Sequence, residues 1–269
     1  MRISVSNIAW DLQEEDAVAA LLRNEGIDRV DLAPGKYFPD PFSASPEGMA
    51  RVKQLWEDRG FEVEGFQSLL FGTAGFNLFD DGDDRMLQHL AAQCRIGRGL
   101  GARALTFGSP RQRDRGNRTF AEAIEIAVPY FARLGDAAAA EGVIVCLEPN
   151  PSAYGCNFMT STDEAATVVS ATAHPAIKLQ LDVGAIAMNS EDATATIRKH
   201  ASIIGHVHAS EPHLAVLGDG GSPHAEAGAA LREVRPDLTV TIEMAATKSN
   251  RIEAVRKAVD VAKRAYGAE

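Results

Sequence analysis

Eight short, β-branched apolar runs, each followed by a helical pattern, constrain this chain more than any other feature. The runs fall at residues 3–7, 29–33, 61–67, 104–108, 143–148, 177–182, 203–208 and 238–243. Helices are predicted over about 13–25, 46–59, 83–100 and 120–141. The last has Phe120, Ala123, Ile124, Ala127, Phe131, Leu134 and Ala138 at offsets of 3, 4, 7, 11, 14 and 18, the stripe of a helix with one buried face. Ser45 before Pro46 reads as an N-cap and first helical position, and Thr119 with Glu122 and Ser161 with Glu164 read as capping boxes. Regular βα alternation implies a parallel sheet, and eight repeats imply that it closes. The expected architecture is therefore one α/β domain over residues 1–269, a (β/α)8 TIM barrel. An open, doubly wound sheet of six or seven strands is the weaker alternative.

Composition narrows the function classes. At 269 residues and 45% apolar, the chain can bury the core that a barrel of about 250 residues requires. With 27 basic and 37 acidic side chains, the formal charge of −10 opposes binding to a phosphate backbone, so no nucleic-acid partner is expected. No apolar stretch is long enough to span a bilayer, and the first residues enter a strand directly, so a soluble, cytoplasmic protein without membrane contact is expected. The three cysteines, Cys94, Cys146 and Cys156, are odd in number and lack a CxxC spacing, which argues against a disulfide framework. Association into a homo-oligomer is left open.

Four of the runs end in a polar residue: Glu148, Asp182, His208 and Glu243. In a parallel barrel the C-terminal ends of the strands form the catalytic rim. Counting back by twos puts Cys146, Gln180, His206 and Thr241 on the same inward face, one layer deeper. Three carboxylates around one point repel one another unless a cation lies among them. The donor set, carboxylates with one imidazole and no thiolate, suits Mn²⁺ best among divalent ions, with Mg²⁺, Co²⁺ or Zn²⁺ as further options. His206 reads first as a hydrogen-bonded core histidine, while Gln180 and Thr241 are placed to orient the carboxylates above them.

In these residues the chain resembles the xylose isomerase-like barrel proteins, which include the ketose 3-epimerases, hydroxypyruvate isomerase and inosose dehydratase. The resemblance is carried by Leu147-Glu148-Pro149-Asn150, Leu181-Asp182, His206-Val207-His208-Ala209-Ser210-Glu211 and Ile242-Glu243, with Phe107-Gly108-Ser109-Pro110 as a further element. The intervals of 34, 26 and 35 residues between the four polar ends are similar to the family's ligand spacing. It implies that Glu148, Asp182, His208 and Glu243 hold one divalent metal ion, with Glu148 and Glu243 doubling as the proton-transfer pair. The chain departs from the ketose 3-epimerases at three sugar-binding positions: Ala185 replaces a histidine, Leu214 an arginine and Tyr154 an acidic residue. The metal chemistry is thus implied more firmly than any named substrate.

A metal that chelates a carbonyl and a neighbouring hydroxyl lowers the barrier to losing the adjacent proton, and two glutamates supply base and acid. Returning the proton gives an epimerase or isomerase; expelling a leaving group gives a lyase. The reading is a metal-dependent sugar isomerase or epimerase, with a dehydratase or keto-glycoside-eliminating lyase as the alternative and a non-catalytic sugar-binding subunit behind both. An abasic-site nuclease is disfavoured, because Gln67 and Ala185 stand where further metal ligands would be needed. Trp10, Gln67, Tyr154, His213 and His224 are the expected substrate contacts, with Asp31, Lys36 and Tyr37 further candidates. Residues 111–118 carry four arginines, read as solvated loop charge or, more sharply, as a mark of an anionic substrate. Residues 218–221, Gly-Asp-Gly-Gly, read as a flexible turn or as backbone N–H groups for a phosphate.

Overall fold

The structure, a computed structural model, describes residues 1–80, 82 and 84–267. Strands β1 (Arg2–Ser6), β2 (Arg29–Leu32), β3 (Glu62–Phe66), β4 (Ala104–Phe107), β5 (Ile144–Leu147), β6 (Ile177–Asp182), β7 (Ile204–Ser210) and β8 (Thr239–Glu243) close into one barrel in chain order. Every neighbouring pair is parallel, including β1 with β8. The helices that cover it are α1 (Glu15–Asn24), α2 (Pro46–Asp58), α3 (Arg85–Leu100), α4 (Phe120–Ala140), α5 (Thr162–Thr172), α6 (Val183–Met188), α7 (Ala193–His200), α8 (His224–Val234) and α9 (Arg251–Tyr266). The chain is a single (β/α)8 TIM barrel, as the alternation predicts.

The local signals act as expected at most helix starts. Ser45 accepts from Gly48 N at 3.1 Å with Pro46 in the first turn, and Thr119 with Glu122 forms a complete capping box. The second expected box is only half made. Ser161 accepts from Glu164 N, but the Glu164 carboxylate turns to Thr160, taking both its backbone N and its hydroxyl. The helix start expected at Asp83 lies outside the described residues, as do Ala268 and Glu269 at the end of the predicted domain. None of the described helices is long and apolar enough to cross a membrane.

The apolar core lies mainly between strands and helices, where Val5, Val30, Leu105, Leu179, Val207 and Val240 are buried. The barrel interior is polar instead. Ser4, Asp31, Thr106, Gln180, His206 and Thr241 are all buried there. A Cβ on Gly65 would stand 2.7 Å from Asp31 Oδ2 and 2.9 Å from both His206 Nε2 and the Ala104 carbonyl, so glycine is what lets this layer close. The strand that matters most for the site differs from expectation. β7 continues two residues past His208, which carries Ser210 onto the same inward face and pairs it with Glu243 on β8.

Candidate metal centre

Glu148, Asp182, His208 and Glu243 converge, with one donor atom from each lying within 4.8 Å of all the others. Two ligands about 2.1 Å from a common ion stand at most about 4.2 Å apart, so shifts of a few tenths of an ångström would complete such a shell. Register brings them together: Asp182 pairs with His208 across β6 and β7, and Glu243 lies one strand further on. His208 Nδ1 approaches Glu148 Oε1 at 2.9 Å and Glu243 Oε2 at 3.3 Å. Asp182 is held at both oxygens, Oδ1 accepting from Ala185 N at 2.5 Å and Oδ2 from the Ser210 hydroxyl at 2.8 Å. Glu148 Oε2 accepts from the Asn150 side-chain amide at 3.2 Å. A Cβ on Gly108 would lie 2.0 Å from that same oxygen, so the glycine makes the cradle in which the Glu148 carboxylate rests.

The electrostatics follow from crowding. Burial pushes the Asp182 carboxyl up, and the nearby Glu148 and Glu243 push it further. Burial alone would lower the His208 imidazole, yet Glu243 and Glu148 outweigh it and raise the group well above its usual range. Three carboxylates facing a single imidazole leave negative charge uncompensated, and oxygen donors with one nitrogen are what a hard or borderline divalent cation takes. The residues therefore fit one such ion.

Beneath the cluster the polar layer forms a continuous chain across the barrel. Thr106 donates to Gln180, the Gln180 amide meets His206 Nδ1 at 3.3 Å, and His206 Nε2 lies 3.0 Å from Asp31 Oδ2. Ser4 and Thr241 both donate to Asp31 Oδ1. Gln180 and Thr241 thus orient this lower network; neither touches the carboxylate above it, and Asp182 is oriented by Ser210 instead.

A cavity of about 520 Å³ opens above the cluster, within the range of small-molecule sites. Gln67, Tyr154 and His213, three of the expected contacts, line it. Two others fall outside its lining. Trp10 is buried to 1% exposure in the core, and Ile8 occupies the rim after β1. His224 is held between the Tyr266 hydroxyl at 2.7 Å and Glu211 at 3.2 Å. Lys36 is spent on the carbonyls of Asn7 and Trp10, Tyr37 bonds Glu15, and Asp31 lies in the layer below.

The glycine-rich turn cradles an anion, but an internal one. Gly218 N and Ser222 N donate to the Glu211 carboxylate at 2.7 and 2.9 Å. Burial would raise the Glu211 carboxyl, but the hydrogen bonds from His224, Ser222 and Gly218 hold it down at about 2. The four loop arginines also separate. Arg113 is fully buried and donates to the Glu148 carbonyl at 2.7 Å, Arg115 bonds the Asn157 carbonyl, Arg118 is exposed, and only Arg111 reaches the cavity. Ser210 and Asn150 stand within the family-like motifs and Arg113 within the arginine-rich loop, but the sequence assigns none of them an individual role. Once pairing with β8 extends β7, its parity turns Ser210 inward, and adjacency to Glu148 signals Asn150, whereas nothing local distinguishes Arg113 from its neighbours.

The sequence model of the family described as xylose isomerase-like TIM barrel matches residues 19–265. No curated protein sequence matches the chain. Among solved structures, D-psicose 3-epimerase with D-tagatose from Clostridium cellulolyticum H10 superposes with a TM-score of 0.81 over 100% of both chains at 18% identity. The apo form of 3-keto-D-glucoside 4-epimerase, YcjR, from E. coli gives 0.78 over 98% of this chain and 99% of that one, at 15% identity. The IOLI protein with a binding zinc atom gives 0.75 over 100% of both chains at 14% identity. These likenesses are of fold. The family match covers most of the barrel, including all four converging strand ends, and the resemblance read from those motifs stands: the chain belongs to the xylose isomerase-like TIM barrel family.

Proposed function

We propose that this protein is a divalent-metal-dependent sugar isomerase or epimerase, acting at the carbon next to the carbonyl of a ketose or related keto-sugar. The observation that carries the reading is the convergence of Glu148, Asp182, His208 and Glu243 at the base of a sugar-sized cavity. The sugar epimerases named above, with the same fold, support the substrate class. Glu148, Asp182, His208 and Glu243 would hold the ion, Mn²⁺ or Zn²⁺ among the metals suited to this donor set. When bound, the ion supplies positive charge to the carbonyl oxygen on which negative charge develops.

The protein's own groups handle the proton. Glu148 and Glu243 come from β5 and β8, so a substrate carbon between them meets a carboxylate on each face. One removes the proton and the other delivers it. Glu148 is fixed by Asn150, His208 and the Gly108 cradle, while Glu243 meets His208 at the longer distance of 3.3 Å. The freer Glu243 is assigned as the first base. Asp182, tied to Ser210 and Ala185 N, holds its position and takes no part in proton transfer.

The test is incubation of manganese- or zinc-loaded protein with ketoses, keto-inositols and 3-keto-glycosides in D₂O, followed by NMR. Deuterium should enter at least one substrate at the carbon beside the carbonyl. No incorporation into any of them, with one ion bound per chain, overturns the reading.

A further inference from the structure

The cavity has two unlike sides. After β1, β6 and β7 the rim presents Ile8, Ala185 and Leu214, and the polar groups there are metal ligands, groups bonded to them such as Ser210, the clasped Glu211, or His213. After β3, β4 and β5, the rim presents Gln67, Arg111 and Asn150. Each of these has unused bonding capacity. Gln67 is 1% exposed, and neither its Oε1 nor its Nε2 has a hydrogen-bond partner. Asn150 Oδ1 is likewise buried and unpartnered. Arg111 is the one lysine or arginine lining the cavity, and no hydrogen bond or ion pair engages it among the described residues.

Leaving a buried amide unpaired forfeits its hydration with no bond in return, so Gln67 is built for a partner that arrives from the cavity. An amide offers a donor and an acceptor together, which is what a sugar hydroxyl takes. Arginine's planar fork is matched instead by an oxyanion with two oxygens to offer. The other arginines of the same loop are engaged elsewhere: Arg113 and Arg115 are committed to backbone carbonyls, and Arg118 packs over Phe79. In a chain of net charge −10, Arg111 is exposed at the cavity and pairs with no acidic group among the described residues.

We infer that the substrate carries an oxyanion group, carboxylate or phosphate, bound by Arg111 on the β3–β4 side of the cavity, with Gln67 and Asn150 bonding the adjoining hydroxyls. This rests on the proposed metal-dependent sugar chemistry and adds to it the charge and orientation of the substrate. The polar end points toward the half of the rim that contributes no metal ligand before β5, and the apolar wall of Ile8, Ala185 and Leu214 faces the opposite end.

Binding tests it without requiring turnover. D-fructose, D-fructose 6-phosphate and D-fructuronate, alike except at the terminal carbon, are titrated into manganese-loaded protein by calorimetry. At least one anionic sugar should bind about tenfold or more tighter than D-fructose, the scale of a charge-assisted pair. That preference should fall to within about twofold in Arg111→Gln and persist in Arg118→Gln, which removes a loop charge outside the cavity. Whichever anionic sugar is preferred identifies carboxylate or phosphate as the source. Equal binding of all three sugars by the wild type, or a preference that survives Arg111→Gln, overturns the inference. Solvent deuterium exchange, read separately, reports on the proposed chemistry, so failure of one is distinguishable from failure of the other.

Discussion

The Nδ1 atom of His208 lies 2.9 Å from Oε1 of Glu148, across 60 residues of sequence and from strands that are not neighbours in the barrel. Such a contact joins the two strands through the space a metal ion would fill, so the imidazole is already turned toward the carboxylates. One divalent ion per chain is expected from elemental analysis. Asp182→Asn should weaken its affinity by at least about tenfold in a metal titration, the scale at which ligand and supporting groups act. Unchanged affinity would place the ion elsewhere.

Removing the ion should lower the melting temperature, and more at pH 8 than at pH 5. The sign follows from Asp182, whose carboxyl burial and Glu148 and Glu243 raise in the metal-free fold. An acid raised on folding contributes stability that is full below its unfolded pKa and is lost as pH rises through the folded one. At pH 8 the crowded carboxylates are more fully ionised, so the ion relieves a larger penalty. Calorimetry with and without chelator at the two pH values checks it, and equal shifts would contradict it.

Changing Glu148 or Glu243 to Gln keeps the shape and removes the base. Turnover should fall by at least about 10²-fold in each at saturating metal. Solvent deuterium should still enter substrate in one of the two variants, because a single carboxylate can remove and return a proton on its own face. Exchange lost in both would move the base to another cavity group, Tyr154 or His213.

Gly108→Ala probes the carboxylate cradle. The added methyl would stand 2.0 Å from Glu148 Oε2, and that oxygen is the end of a flexible side chain, so it yields before the barrel does. The melting temperature should change little while metal affinity and turnover drop together. A variant that binds metal and turns over as the wild type does would show that Glu148 rests elsewhere.

Gln67→Leu separates stability from binding. Replacing a buried amide that has no partner with an apolar group of similar size should raise stability by about 1 kcal/mol, while KM for substrate rises. A lower melting temperature with KM unchanged would give Gln67 a structural role.

Glu211 provides the acid-side dependence. Its carboxyl lies at about 2 rather than the ordinary 4.5, so its stabilisation is present above 4.5 and fades as pH falls toward 2. The difference amounts to something on the order of 3 kcal/mol. Glu211→Gln should melt lower than the wild type at pH 6, and the gap should narrow steadily below pH 4.5. A gap independent of pH would remove the charge from the explanation.

The barrel and its four converging ends were legible because both depend on short-range pattern: strand parity sets which residues face inward, and a strand's end sets the rim. The length of β7 was not, since Ala209 and Ser210 carry no strand signal of their own and are held by pairing with Ile242 and Glu243. His224 looked like a rim histidine in a flexible loop. Its partners, Tyr266 and Glu211, lie 42 and 13 residues away, and only packing of α8 on α9 brings the first of them near. Arg113 failed for the opposite reason: it sits among exposed charges in sequence and alone under Glu148 in space. Trp10 was read from its place after β1, but the chain turns it into the core and leaves Ile8 outside.

The clasp that Gly218 and Ser222 make on Glu211 separates a loop's shape from its surface. His213 and Leu214, at the tip, sit in left-handed backbone conformations with φ of 60° and 54°, which non-glycine residues adopt only when their surroundings compel it. Behind them the loop is pinned by a carboxylate that its own amides saturate, and at 213 the bond that holds the chain is a backbone one, the N–H donating to the Tyr154 hydroxyl at 2.7 Å, with the imidazole edge-to-face against that tyrosine ring. A lineage could rewrite what this rim recognises by exchanging those two residues while inheriting the same loop, and a library randomised there should yield folded proteins far more often than one randomised at 211.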